Sequence, residues 1–175
     1  SSMKEKLSKF KEYLDYVERH YNSVQKAWEL IKEKCKDKNF RFLSDDYVYG
    51  LINQDVIDHD ESKLSKEEFT QYRQLFFPTE AEKQHKEKWK EEFKPAWEHH
   101  KANNVHHWQN WTENHANNPH ADAFLVMNVI DWVAMGFEFG DTAKEYYERN
   151  KSDIHLPDWA EILMYEIFEC IYENN

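Results

Sequence analysis

Between residues 7 and 35, apolar side chains recur at alternating intervals of three and four residues. This spacing places them on one face of an α-helix of about eight turns. Read alone, the stripe is compatible with a coiled-coil seam. The aromatic-rich sequence that follows favours a first helix that spans a hydrophobic core. The positions are Leu7, Phe10, Leu14, Val17, Tyr21, Val24, Trp28, Ile31 and Cys35.

Glycine and proline are scarce, with 3 Gly and 4 Pro in 175 residues. A β-sandwich or barrel needs many tight turns, so the composition favours helices. Hydrophobic residues make up 40% and aromatic residues 16%, which excludes a disordered chain. Further helices are predicted over 46–58, 65–76, 79–101, 121–137, 141–150 and 158–172, with a loop over 39–44.

Local signals refine these predictions. Capping boxes at 65–68 and 79–82 mark helix starts, and Pro95 is expected to kink or split the helix that contains it. Ser1 and Ser2 precede Met3, resemble residues left by cloning, and are set aside. We expect residues 3–175 to form a single all-α domain, a compact bundle of six to eight helices.

The net charge of −11 disfavours nucleic-acid binding as the main role, because an acidic surface repels phosphate backbones. No apolar run approaches the roughly 20 residues of a transmembrane helix, and no signal peptide is visible. Cys35 and Cys170 fit no metal-binding spacing and are interpreted as core thiols. The sequence is therefore interpreted as a cytoplasmic chain with no membrane partner.

Histidines are concentrated in one segment. Six of the 10 His lie between residues 99 and 120. Imidazole is a common ligand for transition metals, so this clustering indicates a metal site. A polar surface segment rich in His and Asn is the alternative.

Three further features of the sequence bear on that choice. His59-Asp60 ends a predicted helix, and Lys63 follows four residues after His59. His20 lies beside the apolar stripe, where a histidine that satisfies its bonds within the core is the commoner case. Asp131 interrupts an apolar helix and needs a metal, an arginine or a lysine as its partner.

The segment His59-Asp60-Glu61-Ser62-Lys63 resembles the His-Asp-x-x-Lys form of the HD-domain superfamily, helical metal-dependent enzymes named for the tandem His-Asp. More closely, the segments 96–101, 104–108 and 131–136 resemble an uncharacterised family of short bacterial and phage proteins whose members carry automatic names such as catalase. That similarity covers roughly residues 20 to 150.

The HD-domain resemblance implies a fold, a ligand set and a chemistry. It implies a first metal held by His20, His59, Asp60 and Asp131. A second metal would be held by His100, His106 and His107, with Asp60 bridging and His99 competing with His100. The cofactor would be one or two divalent transition metals: Mn, Fe, Co, Ni or Zn.

The expected activity is hydrolysis of a small phosphate ester, with a nucleotide as the first expectation. Lys63 would contact the phosphate, Asp60 or Asp131 would accept a proton, and Asn104 and Trp108 would contact the substrate. A cyclic dinucleotide is disfavoured, because 108–111 read Trp-Gln-Asn-Trp where that branch of the superfamily carries glycine and proline. The alternatives are a di-iron oxygenase on a small polar substrate and a metal-stabilised, non-enzymatic protein that binds a partner.

Overall fold

In the computed structural model, which describes residues 2–173, the chain is 79% helical and contains no strand within that range. The all-α fold class is confirmed. Nine α-helices are present among these residues, joined by loops and 3-10 turns, and a π-helical turn (Glu169–Glu173) follows the last of them. They are α1 (Met3–Cys35), α2 (Arg41–Ser44), α3 (Asp46–Ile57), α4 (Phe69–Phe76), α5 (Lys86–Asn103), α6 (Trp108–Asn114), α7 (Ala121–Phe139), α8 (Ala143–Asn150) and α9 (Asp158–Phe168).

The chain divides into two units. The first unit consists of residues 2–21 and Asp60–Asn104, and the second consists of Asn22–His59 and residues 105–173. Helix α1 contributes residues to both units. The division also falls between the consecutive residues His59 and Asp60.

The first unit packs helix α4 against helix α5. Its apolar core is small and centres on Tyr13, Tyr72 and Ala96. On helix α1, Tyr13 is fully buried, whereas Leu7 and Leu14 of the apolar stripe are 48% and 44% exposed. The stripe therefore predicted the helix correctly but not which side chains of its first half are buried.

The second unit contains the larger core, built around helix α7. Thirteen residues of this helix are buried, and α7 packs against helices α3, α8 and α9. Asn128 and Asp131 are the polar members of that buried set, and the Asn128 Oδ1 accepts a hydrogen bond from the Trp111 indole at 3.0 Å. Cys35 and Cys170 are both buried free thiols, which confirms their interpretation as core residues. No single helix in the described part of the chain meets the length and hydropathy needed to span a membrane, although α7 and the bent segment after it meet those criteria as a pair.

Several predicted helix boundaries are wrong. Residues 41–44 form one helical turn instead of a loop, with Phe42 buried. Helix α6 was not predicted, and helix α8 begins from Thr142, whose hydroxyl accepts from the Glu145 backbone, rather than from Asp141. Helix α5 is not split at Pro95, because the proline lies on an exposed face where water can bond the carbonyl that lacks its N–H partner.

The two predicted capping boxes behave differently. At 79–82 the reciprocal bonds form: the Glu82 carboxylate accepts from the Thr79 N–H at 2.8 Å, and the Thr79 hydroxyl accepts from the Glu82 N–H at 3.3 Å. At 65–68 they do not, because the Ser65 hydroxyl donates to the Ser62 carbonyl. Helix α4 accordingly begins at Phe69, and Glu68 precedes it without a side-chain cap.

A bidentate ion pair joins the turn at 79–82 to helix α4. The pH dependence of its contribution to stability can be tested. Arg73 donates to both oxygens of Glu82 at 2.6 and 2.9 Å, and these bonds with those from Thr79 outweigh burial and lower the Glu82 pKa from 4.5 to about 2. Because the pKa is lower in the folded state, this stabilisation is complete above the unfolded pKa and is lost as the pH falls toward the folded pKa. We expect Glu82→Gln to reduce the free energy of unfolding by about 1.5–3 kcal/mol at neutral pH.

Urea unfolding of the wild type and the variant across the acidic range measures this. The difference between them should shrink below a pH of about 4. Glu87→Gln is the control, since the Glu87 side chain is 88% exposed. A difference that stays constant with pH would show that Glu82 acts through packing instead of charge.

Candidate metal centre

Asp60 is a buried carboxylate of the first unit with two histidines and a lysine beside it. Its side chain is 5% exposed and lies 3.5 Å from the His20 Nε2, 3.3 Å from the His100 Nε2 and 3.2 Å from the Lys63 Nζ. Helix α1 supplies His20, helix α5 supplies His100, and the 3-10 turn Glu61–Leu64 supplies Lys63. Residues far apart in the sequence therefore meet at one buried carboxylate.

The backbone of Asp60 adopts the left-handed conformation, with φ of 58°. This conformation costs an L-residue about 1–2 kcal/mol, although Asp and Asn tolerate it better than most. Among the described residues, Asp60 is the one residue other than glycine that has a positive φ. Strain of this kind is often retained at functional sites.

The ammonium of Lys63 is held inside the first unit. It lies 5.2 Å from the Tyr16 ring centroid and 5.5 Å from that of Tyr72, while the Tyr13 hydroxyl donates to the Lys63 carbonyl at 2.9 Å. Burial disfavours its charge, but the Asp60 carboxylate outweighs burial and raises the Lys63 pKa. The Lys63 side chain is 7% exposed, so its positive charge interacts with the Asp60 carboxylate 3.2 Å away.

Glu68 lies on the opposite side of the His100 ring from Asp60. It is fully buried, and its two oxygens contact the His100 Nδ1 at 2.7 Å and the His99 Nδ1 at 2.6 Å. Burial opposes ionisation, yet hydrogen bonds from His100, Ser62 and His99 lower the Glu68 pKa. Burial also opposes the charged form of His100, whose pKa is raised by its bonds to Asp60 and Glu68.

The two neighbouring histidines are distinguished by their position. His100 is 2% exposed and contacts Asp60, whereas the His99 side chain is 30% exposed and contacts Glu68. Of the two, His100 is therefore the residue placed to share an ion with Asp60. Asn104, predicted to contact substrate, donates to the Ser62 hydroxyl at 2.8 Å and to the His100 carbonyl at 2.7 Å.

In the second unit His59 lies between two carboxylates. Its Nδ1 is 3.9 Å from Asp55 of helix α3, and its Nε2 is 3.2 Å from Asp131 of helix α7. The contact of Asp131 is thus an imidazole, a partner that the sequence analysis did not name beside a metal, an arginine or a lysine. The His59 ring also stacks on the His106 ring, with centroids 4.1 Å apart.

Asp55 joins the two stacked rings. It lies 3.3 Å from the His106 Nδ1 as well as beside His59. Burial opposes its charge, but His106 and His59 outweigh burial and hold the Asp55 pKa far below its usual range. One ligand atom from each of Asp55, His59 and His106 lies within 4.8 Å of the others, so this group could hold a metal ion.

The remaining predicted residues lie at the edge of this cluster. His107 is half-buried, with its ring centroid 4.6 Å from that of His106. Trp108 is half-buried and packs edge-on against His155, with centroids 5.8 Å apart. The Trp108 ring therefore packs against another side chain of the same unit.

These donors suit a divalent transition metal. Buried imidazole and carboxylate groups are characteristic ligands of Mn, Fe, Co, Ni and Zn, and neither buried cysteine of the described chain contributes a thiolate to these clusters. In the first unit the available ligands are His20, Asp60 and His100. In the second, Asp55, His59 and His106 form a group that could hold an ion, and Asp131 lies 3.2 Å from the His59 Nε2.

Sequence reasoning missed two of the carboxylates. Asp55 precedes His59 by four residues, a spacing at which side chains at the end of a helix can meet, and it could have indicated their contact. Glu68 was assigned to a capping box, and 31 residues separate it from His99. No local pattern could have revealed that contact.

A family model described as a family of unknown function, DUF5662, matches residues 9–168. No curated protein and no solved structure matches the chain. The match agrees with the expectation of an uncharacterised family, while the resemblance to the HD-domain superfamily stays a prediction.

The buried pair of Asp60 and Lys63 makes a testable prediction for stability. Removing one partner of a buried ion pair costs about 3–5 kcal/mol, because the other charge stays buried without compensation. Asp60→Asn preserves the left-handed backbone, so its cost reports the lost charge. In the presence of a chelator, we expect Asp60→Asn to lower the free energy of unfolding by about 3–5 kcal/mol. Adding Lys63→Met to the same chain should restore part of that loss.

A double-mutant cycle by urea unfolding measures the coupling between the two residues. Lys63→Met alone is the third corner of the cycle. Additive effects of the two changes would show that Lys63 does not compensate the charge of Asp60.

Proposed function

The chain belongs to the DUF5662 family, and we propose that it is a metal-dependent hydrolase of small phosphate esters. The observation that carries the proposal is the placement of buried imidazoles between carboxylates. His100 lies between Glu68 and Asp60 in the first unit, and His59 lies between Asp55 and Asp131 in the second. A bound cation offsets the negative charge that such buried carboxylates accumulate.

The ligands are assigned within each unit. His20, Asp60 and His100 would bind a divalent transition metal in the first, and His59, His106 and Asp131 would do so in the second. Such a metal supplies a Lewis acid for a phosphoryl oxygen and lowers the pKa of a bound water toward about 7. One or two metal equivalents per chain are compatible with these ligands.

The chain's own residues have separate roles in this proposal. Lys63 keeps its positive charge in a buried setting and fixes the orientation of Asp60. Asp60 and Asp131 hold carboxylate oxygens against imidazole nitrogens, so either can accept a proton from an attacking water. Burial keeps bulk water from screening these charges, which strengthens their effect on a phosphate.

The substrate class follows from two observations. The His59-Asp60-x-x-Lys63 motif resembles that of the HD-domain superfamily, whose chemistry is metal-dependent phosphate hydrolysis. The ligand set also combines hard carboxylates with imidazoles, a combination suited to metals that activate phosphate esters. A nucleotide is the first substrate to test, with Asn104 and Trp108 as proposed contacts.

Metal content and hydrolysis should be measured on protein purified without a histidine tag or chelator. We expect one or two equivalents of transition metal and release of phosphate or nitrophenol from p-nitrophenyl phosphate, bis(p-nitrophenyl) phosphate or nucleotides. Asp60→Asn should lose bound metal and reduce hydrolysis at least about 100-fold, the cost usual for losing a major contributor of charge stabilisation. Asp58→Asn is the matched control, because Asp58 is exposed and bonds Gln54.

Three results would contradict the proposal in different ways. Full activity of Asp60→Asn would remove Asp60 from the centre. Oxygen uptake by iron-loaded protein without hydrolysis would identify an oxygenase. Failure to bind Mn, Fe, Co, Ni or Zn would favour a helical binding protein.

A further inference from the structure

Two carboxylates outside the predicted ligand set, the fully buried Glu68 and the half-buried Asp55, each lie beside the Nδ1 atoms of two histidines. Glu68 contacts His99 and His100 in the first unit, and Asp55 contacts His59 and His106 in the second. A carboxylate that hydrogen-bonds a histidine Nδ1 thus occurs in both units, with unrelated residues. In His100 and His59 this Nδ1 is the ring nitrogen opposite to Nε2, which faces Asp60 in the first case and Asp131 in the second.

The Glu68 contacts define which nitrogen of each ring carries a proton. An ionised carboxylate only accepts hydrogen bonds, so both Nδ1 atoms at 2.6 and 2.7 Å must donate. A neutral imidazole has one N–H, and its other nitrogen then carries a lone pair. In neutral His100 that lone pair is on Nε2, which lies 3.3 Å from the Asp60 Oδ1.

In the second unit Asp55 makes this demand of His106, the one of its two histidine neighbours within hydrogen-bond distance. It lies 3.3 Å from the His106 Nδ1 and 3.9 Å from the His59 Nδ1. A neutral His106 that donates from Nδ1 presents a lone pair on Nε2. His59 differs, because its hydrogen-bonding nitrogen is Nε2, which lies 3.2 Å from the Asp131 Oδ1.

We propose that Glu68 and Asp55 are positioning residues that hold His100 and His106 in the Nδ1–H tautomer and so direct Nε2 of each ring toward a metal. This inference rests on the proposed function, since it assigns roles within the same centre. It divides the carboxylates into two groups: Asp60 and Asp131 face the Nε2 side and ligate, whereas Glu68 and Asp55 face the Nδ1 side and orient. Loss of an orienting carboxylate typically weakens metal binding by about 10–100-fold.

A ligating role for Asp55 is the main competing interpretation, because its carboxylate is close enough to His59 and His106 to share an ion with them. The two roles predict different losses. Removing a ligand lowers the number of metal ions bound, whereas removing an orienting group weakens affinity and leaves the number unchanged. A purely structural role predicts neither change in the folded protein.

The first measurement is the histidine tautomer in metal-free protein. Long-range ¹H–¹⁵N correlation spectra of chelator-treated, ¹⁵N-labelled protein above neutral pH distinguish a protonated ring nitrogen from one with a lone pair. We expect His100 and His106 to be protonated on Nδ1. Glu68→Gln offers one acceptor and one donor, so one of its two histidine partners should change to the Nε2–H tautomer.

The second measurement is zinc affinity, by competition with a chromogenic chelator. Glu68→Gln and Asp55→Asn should each bind zinc about 10–100-fold more weakly at unchanged stoichiometry. Glu87→Gln is the matched control, because Glu87 is on helix α5 with His100 but its side chain is 88% exposed. If one variant fails to fold, the wild-type tautomers and the other variant still test the positioning role.

The outcomes separate this inference from the function on which it rests. Nδ1 protonation in the wild type together with weaker zinc binding in the variants supports it. A lone pair on the Nδ1 of His100 and of His106 in metal-free wild type overturns it, as do variants with wild-type affinity or reduced stoichiometry. Wild-type and control protein that both fail to bind zinc, manganese or iron would overturn the proposed function, and the positioning role with it.

Discussion

The burial of ionisable groups is the constraint on which the rest of this structure depends. A carboxylate removed from water loses several kcal/mol of hydration and needs compensating partners. Asp60, at 5% exposure, obtains them from two imidazoles and a lysine whose own charge is buried. Helix α1, helix α5 and the turn after Asp60 must each be in place for those partners to meet.

The second unit satisfies the same constraint with different elements. Helix α7 is buried along most of its length, so Asp131 can only be accommodated where another element brings a donor to it. The turn after helix α3 does so through His59 at 3.2 Å, and helix α3 itself brings Asp55 to the far side of that ring. The apolar core and the polar cluster therefore depend on the same packing of α3 against α7.

The sequence predicted those parts of the fold that local patterns determine. The spacing from Leu7 to Cys35 predicts helix α1, and the apolar run around Asp131 predicts helix α7 and the need for a partner there. The sequence could not predict which residue contacts Asp131, because that depends on which helices pack together. His99 and His100 show the limit most clearly: they are adjacent and chemically identical, and only their contacts with Asp60 and Glu68 distinguish them.

Glu68 explains why a strong local signal failed. The pattern Ser-Lys-Glu-Glu predicts a capping box, in which the last glutamate would bond the backbone of the first serine. In the structure that glutamate contacts His99 and His100, and helix α4 begins only at Phe69. A cap is worth about 1 kcal/mol, whereas hydrogen bonds to a charged group are worth about 1.5–3 kcal/mol each, so two imidazole contacts outweigh it. The late start of helix α4 is thus a consequence of the cluster, and a local rule gives way at the point where the carboxylate has a stronger use.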